Sequence, residues 1–189
     1  SHSAPRQGAA PTPSARLARN PIGHRPVSEN FAALLDAAAR RRPDAPALVW
    51  DGGALTWREL ELRVGGVARR LSNQGVRAGD TVALLLPNGW RFAAALWGAL
   101  KLGATVAPLN PLLSAGERDR ILAHLGPVRI VDELGEEEDE EEAVTDSADG
   151  TAPALILYTS GSTGRPKGAV LSHAALRGAN ESWAGPVMR

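Results

Sequence analysis

From Thr81 onward the chain changes period every few residues, and this alternation limits the available folds more than any other feature. Thr81 to Leu86 is a β-branched and leucine run of the length expected for a buried strand. Asn88 to Leu102 reads as a helix that is apolar on most sides, and Ala104 to Leu109 as a strand. Ser114 to Leu125 reads as a helix carrying Glu117, Arg118, Asp119 and Arg120, and Val128 to Val131 as a strand. One more strand, Ala154 to Tyr158, follows an acidic interruption. Strands alternating with helices predict an α/β fold with a mainly parallel sheet and helices on its faces. No segment repeats.

Upstream, Ser28 is placed to cap a helix whose apolar positions are Phe31, Leu34, Leu35 and Ala38, closed by Pro43. Ala47 to Trp50 and Ala54 to Thr56 flank Asp51-Gly52-Gly53, the pattern of a hairpin. Thr56 with Glu59 three residues on predicts a reciprocal cap. The helix that follows has its stripe at Leu60, Val64, Val67 and Leu71. Residues 1–27 hold five prolines and almost no large apolar side chain, and are expected to be a disordered tail. The expected organisation is this tail, an α/β part over 28–131, an acidic disordered connector over 132–150, and a strand, loop and helix over 151–189.

Charge sharpens that division. The 189-residue chain balances 21 bases against 21 acids, but eleven acids and no base fall in residues 132–149. The remainder carries a net charge of +11, and 19 of the 21 bases are arginine. Scattered arginines favour anionic ligands without forming the stripe that nucleic acid requires, so no nucleic-acid partner is expected. The absence of cysteine excludes a disulfide scaffold, a thiolate metal site and a cysteine nucleophile. The most apolar run, Phe92 to Leu100, is far shorter than the roughly 20 residues of a spanning helix, so no membrane span is expected. No secretory signal pattern stands at the start, and a cytoplasmic location is the expectation.

The chemistry concentrates after the last strand. Tyr158-Thr159-Ser160-Gly161-Ser162-Thr163-Gly164-Arg165-Pro166-Lys167-Gly168 sets hydroxyls and glycines around one lysine. Glycine allows close backbone approach, successive N–H groups and hydroxyls donate to phosphate oxygens, and Lys167 adds a cation. The end of a buried strand is where α/β folds place ligands. The segment lacks the Gly before Lys and the Ser/Thr after it that a Walker A loop has, and it does not match the dinucleotide G-x-G-x-x-G pattern. A flexible Gly/Ser linker is the competing reading, but linkers rarely follow a five-residue apolar strand.

Thr159 to Gly168 resembles the AMP-binding signature of the acyl-adenylate-forming superfamily: acyl- and aryl-CoA ligases, peptide-synthetase adenylation domains and luciferase-like enzymes. Leu55-Thr56-Trp57-Arg58-Glu59-Leu60 resembles that family's first core motif, and Leu100 to Pro111 its second. The resemblance covers roughly residues 28–131 and 151–183 and implies a partial N-terminal subdomain of an adenylate-forming enzyme. It implies that Thr159, Ser160, Gly161, Ser162, Thr163, Gly164 and Lys167 bind ATP, with Lys167 as the catalytic cation. The implied reaction converts a carboxylic acid and ATP, with Mg²⁺, into acyl-AMP and pyrophosphate, then passes the acyl group to a thiol, usually coenzyme A. Asn110-Pro111 resembles the CoA-ligase branch, whereas peptide-synthetase domains more often have Asp-Pro. The family's adenine motif, Mg²⁺-holding acid, ribose-binding Asp and lid Lys lie downstream of anything in this sequence, so the resemblance implies a fragment inactive on its own, with no metal ligands.

Three classes of function compete at this point. They are a fragment of an acid–CoA ligase or amino-acid adenylation domain, a non-catalytic nucleotide-binding module, and an arginine-rich interaction domain. His173, at the start of a helix expected over Ser172 to Trp183, reads as a helix-terminal polar residue ahead of a catalytic one. His124 reads as a cation favoured by a helix C-terminus. Trp50, Trp57, Trp90 and Trp97 are spread over several elements, as core and core-edge residues are.

Overall fold

The computed structural model describes residues 29–135, 148–159 and 166–184. Helix α1, Ala33–Arg41, precedes a hairpin of β1, Pro46–Trp50, and β2, Gly53–Thr56. Gly52 takes a φ of 92° in the turn, a conformation that costs glycine little. The chain then runs α2 (Trp57–Asn73), β3 (Thr81–Leu84), α3 (Trp90–Lys101), β4 (Thr105–Pro108), α4 (Ala115–Leu125), β5 (Arg129–Val131), β6 (Pro153–Thr159), β7 (Lys167–Ser172) and α5 (His173–Ala184). The main sheet has the order β5-β3-β4-β6-β7. Its first four strands are parallel and β7 is antiparallel to β6. The α/β architecture and mainly parallel sheet expected from the alternation are both present.

The sheet is covered unequally. On one face Val82, Leu84 and Val106 meet Leu60, Val64, Val67 and Leu71 of α2 and Ala94, Ala95, Ala99 and Leu100 of α3. On the other, Ala83, Leu85 and Leu109 meet Ile121 of α4, with Leu122, Leu125 and Tyr158 at the margin. Helices α2 and α3 pack tightly because Gly98 has no side chain. A Cβ there would lie 2.9 Å from Cγ1 of Val67 and 3.1 Å from the backbone N of Ala68. The fully buried Lys101 closes α3, its Nζ 2.7 Å from Asp36 and 3.8 Å from Glu61.

Local signals act as read. Thr56 and Glu59 form the reciprocal cap of α2, and Ser114 with Glu117 does the same for α4. Both carboxyl groups are held below the usual glutamate range by hydrogen bonds from the capping residue. Trp57, Trp90 and Trp97 are partly buried against the larger core, Trp97 stacked on Phe31 at 5.1 Å, while Trp50 is exposed.

Three expectations need amendment. The first helix begins at Ala33, so Phe31 precedes it. Ser28 lies outside the described residues, and the side chain of Asn30 accepts from the N–H of Ala32 instead. Strand β3 stops at Leu84, although Leu85 and Leu86 are also buried. Between the glycine-rich segment and the last helix stands an unforeseen strand, β7. From the sequence, no strand is expected at Gly168 to Leu171. Pairing with β6 makes it an edge strand. Residues 1–28 and 136–147, where the tail and most of the acidic connector were expected, lie outside the described residues.

Candidate phosphate-binding site

The expected phosphate loop lies in the chain between β6 and β7, which pair antiparallel. The ladder runs Pro153↔Ser172, Leu155↔Leu171, Ile156↔Val170, Leu157↔Ala169, Tyr158↔Gly168 and Thr159↔Lys167. Thr159 and Lys167 are therefore direct cross-strand partners, and residues 160–166 form the connection between them. Directly opposed residues of an antiparallel pair project to one face with Cβ atoms about 4.5–5.5 Å apart. Both side chains are exposed. The alternation that turns Leu155 toward the larger core puts Thr159 and Lys167 on that same face, beyond the end of the packed region. Ser160, Gly161, Ser162, Thr163 and Gly164 lie outside the described residues, so of the seven expected contacts the structure places two.

The opposite face explains one glycine of the segment. A Cβ on Gly168 would meet Cγ2 of Ile156 at 2.9 Å and Cζ of Tyr158 at 3.3 Å. The Tyr158 ring thus lies across β7 over Gly168. Its hydroxyl is 2.8 Å from Nδ1 of His124, and partial burial holds its pKa above the usual phenol range. His124 does end a helix as read from the sequence, but its ring is engaged by Tyr158 as well.

His173 is the residue that sequence reasoning undervalued. It begins α5 and is fully buried, and its Nδ1 accepts from the backbone N–H of Phe31 at 3.0 Å. An accepting Nδ1 requires the neutral ring, and burial holds the pKa below the ordinary histidine value. Neighbouring bonds reinforce the join. Glu29 accepts from the N–H of Gly150 at 2.7 Å, and Asn30 donates to the carbonyl of Leu100 at 2.7 Å. The carbonyls of Ala152 and Gly150 accept from the N–H groups of His173 and Ala174. Residues 29–31 are thus a strap fastening the open end of the β6–β7 hairpin to α3. No spacing rule signals a contact across 142 residues.

Among the described residues no group of three or more His, Asp or Glu could hold a metal ion, and no helix is long and apolar enough to cross a membrane.

Known proteins fit this geometry. The family model described as AMP-binding enzyme matches residues 35–149 and 127–187. The chain is 31% identical over 162 residues to surfactin synthase subunit 3 of Bacillus subtilis, covering 75% of this chain and 13% of that protein. It is 37% identical over 159 residues to a feruloyl-CoA synthase of Amycolatopsis, covering 73% and 32%. A solved Mycobacterium tuberculosis fatty acyl CoA synthetase superposes with a TM-score of 0.73 at 28% identity, covering 82% of this chain and 37% of that one. The chain thus spans well under half the length of each. A matching family model over most of the residues, and a fold shared with N-terminal subdomains of adenylate-forming enzymes, establish that this chain belongs to the AMP-binding enzyme family.

Proposed function

We propose that these 189 residues carry the outer-phosphate grip of an ATP-dependent, AMP-forming acid–thiol ligase. The observation that carries this reading is the Thr159↔Lys167 pairing, which brings the two ends of the hydroxyl- and glycine-rich segment together at one end of the sheet. ATP bound there would supply the electrophilic phosphorus attacked by a carboxylate. The chain's own part is to hold charge. Lys167 presents an exposed ammonium and Thr159 a hydroxyl donor on the same face. Ser160, Gly161, Ser162, Thr163 and Gly164 are assigned further contacts to the β- and γ-phosphates. The donor chemistry suits phosphate oxygens, since hydroxyl and ammonium groups both donate to them. No magnesium ligand is assigned to any residue described here.

Contacts made equally before and during reaction tighten binding without speeding chemistry. The 189 residues alone are therefore assigned ATP binding, and carboxylate activation is assigned to the whole enzyme, with coenzyme A as the acyl acceptor. Asn110-Pro111 favours the CoA-ligase branch. The amino-acid adenylation branch is the second reading, supported by the similarity to surfactin synthase subunit 3.

Calorimetric titration with ATP and with pyrophosphate tests the grip. A charged hydrogen bond contributes roughly 1.5–3 kcal/mol, so Lys167→Ala is expected to weaken binding about tenfold or more. The melting temperature should hardly move, because Lys167 is exposed. Equal affinities for the two proteins would remove Lys167 from the site. Carboxylate-dependent ATP–pyrophosphate exchange by the 189 residues alone, lost in Lys167→Ala, would refute the division of labour.

A further inference from the structure

We propose that Tyr158 and His124 form a positioning pair that sets where the phosphate loop leaves the sheet. The inference rests on the phosphate-grip reading for its functional consequence and on geometry for its mechanical part. Tyr158 immediately precedes Thr159 on β6, and its cross-strand partner Gly168 immediately follows Lys167 on β7. The pair Tyr158↔Gly168 is thus the last rung before the loop-bearing rung.

That rung is fixed from two sides. On one, the absent side chain of Gly168 leaves room for the tyrosine ring to lie over β7, where a Cβ would stand 3.3 Å from Cζ and 3.5 Å from Cε1. On the other, His124 meets the ring edge-on at 5.9 Å between centroids, and its Nδ1 bonds the hydroxyl at 2.8 Å. His124 itself sits in the last turn of α4, which Gly126 ends in the left-handed conformation at a φ of 58°. Ile121, Leu122 and Leu125 seat that helix on Ala83, Leu85 and Leu109. The chain of support therefore runs from the sheet core through α4, His124 and Tyr158 to both stems of the loop. Among the described residues β7 has a strand neighbour on one side only, so without that support its end would rest on the β6 ladder alone. Neither residue touches phosphate in this scheme. Both act through Thr159 and Lys167.

The test uses the full 189-residue chain. Tyr158→Phe keeps the ring and removes the hydroxyl, His124→Ala removes the imidazole, and His124→Asn restores a hydrogen-bonding atom near the position of Nδ1. Without any nucleotide, Tyr158→Phe and His124→Ala should shift the amide resonances of Thr159 and Lys167 in the same direction, and His124→Asn should return them toward wild type. With pyrophosphate as the probe, each of the two disruptive variants should weaken binding about 2- to 10-fold, the double variant should weaken it no further, and His124→Asn should recover most of the loss. Melting temperatures should stay within a few degrees. Unchanged Thr159 and Lys167 resonances in Tyr158→Phe would overturn the positioning pair, as would additive losses in the double variant. If Lys167→Ala binds pyrophosphate as wild type does, the phosphate reading falls while the resonances still decide the mechanical link.

Discussion

The chain has two lysines, and they mark two different kinds of construction. Lys101 ends α3 beneath the surface, neutralised by Asp36 at 2.7 Å, in a region where α1, α2, α3, β3 and β4 bury one another. Lys167 begins β7 in the open, on a hairpin where Leu157 and Val170 are also exposed. The first region is built to be closed, so a charge there needs a partner. The second is built to present groups outward, so its charge stays available to a ligand. A residue type by itself carries neither role. What separates the two lysines is whether neighbouring elements pack over the side chain, as α1 and α2 do over Lys101.

The sharpest way to break this contrast is to treat the lysines alike. Lys101→Ala leaves the largely buried carboxylate of Asp36 without its close cation, and loss of one partner of a buried pair costs about 3–5 kcal/mol. Urea unfolding should show that loss, against little change for Lys167→Ala. Similar small effects at both positions would erase the distinction.

Apolar truncations extend the comparison. Leu84 is completely buried between α2 and α3, so Leu84→Ala should cost about 2–5 kcal/mol. Val170→Ala on the hairpin, where the side chain is 58% exposed, should stay within about 1 kcal/mol. Equal midpoint shifts in denaturant would show that the hairpin is packed as firmly as the centre.

Acid probes the join between the regions. The folded state holds His173 neutral, with a pKa below its unfolded value near 6.5. The unfolded chain then binds more protons, so stability is full above about pH 6.5 and falls as pH drops toward the folded pKa. The slope from this one group is at most about 1.4 kcal/mol per pH unit. His173→Asn, which can still accept from Phe31, should flatten that part of the pH profile. An unchanged profile would mean that His173 does not couple folding to protons.

The smallest effect concerns the acidic segment. Replacing residues 136–147 by a Gly/Ser linker should alter stability by less than about 1 kcal/mol, since closure entropy changes slowly with length. Loss of the folded state would show that the acids bear on one of the two regions directly.

The legible and illegible parts of this molecule divide along sequence distance. Thr56 with Glu59 announced a helix start because both halves of the cap lie within one turn. The five-residue run before Thr159 announced a strand by its apolar residues and short length, although only Ala154 is fully buried and Leu157 is exposed. Strand β7 stayed hidden because its identity comes from pairing. Ala169 and Gly168 say nothing alone, and Gly168 is explained only by the Tyr158 ring and the Ile156 methyl of β6 that lie against it. His173 begins its helix as read, but its burial was illegible for the same reason, since its partner is a backbone amide 142 positions away. The donor types of residues 159–168 point to phosphate as the ligand, but they give no sign of the antiparallel pairing of β6 with β7.

The strap at residues 29–31 also has a consequence in time. Its partners are residues 100, 150 and 173, so the first described residues to be synthesised wait longest for their contacts. At roughly 5–20 residues per second, the 142 positions between Phe31 and His173 take about 7–28 s to appear. Throughout that interval α1 can rest on α2, but the amide of Phe31 has no imidazole to receive it. Residues 29–31 are therefore fully fastened only once residue 173 has been made, and a ribosome paused before His173 would hold a chain with its strap still loose.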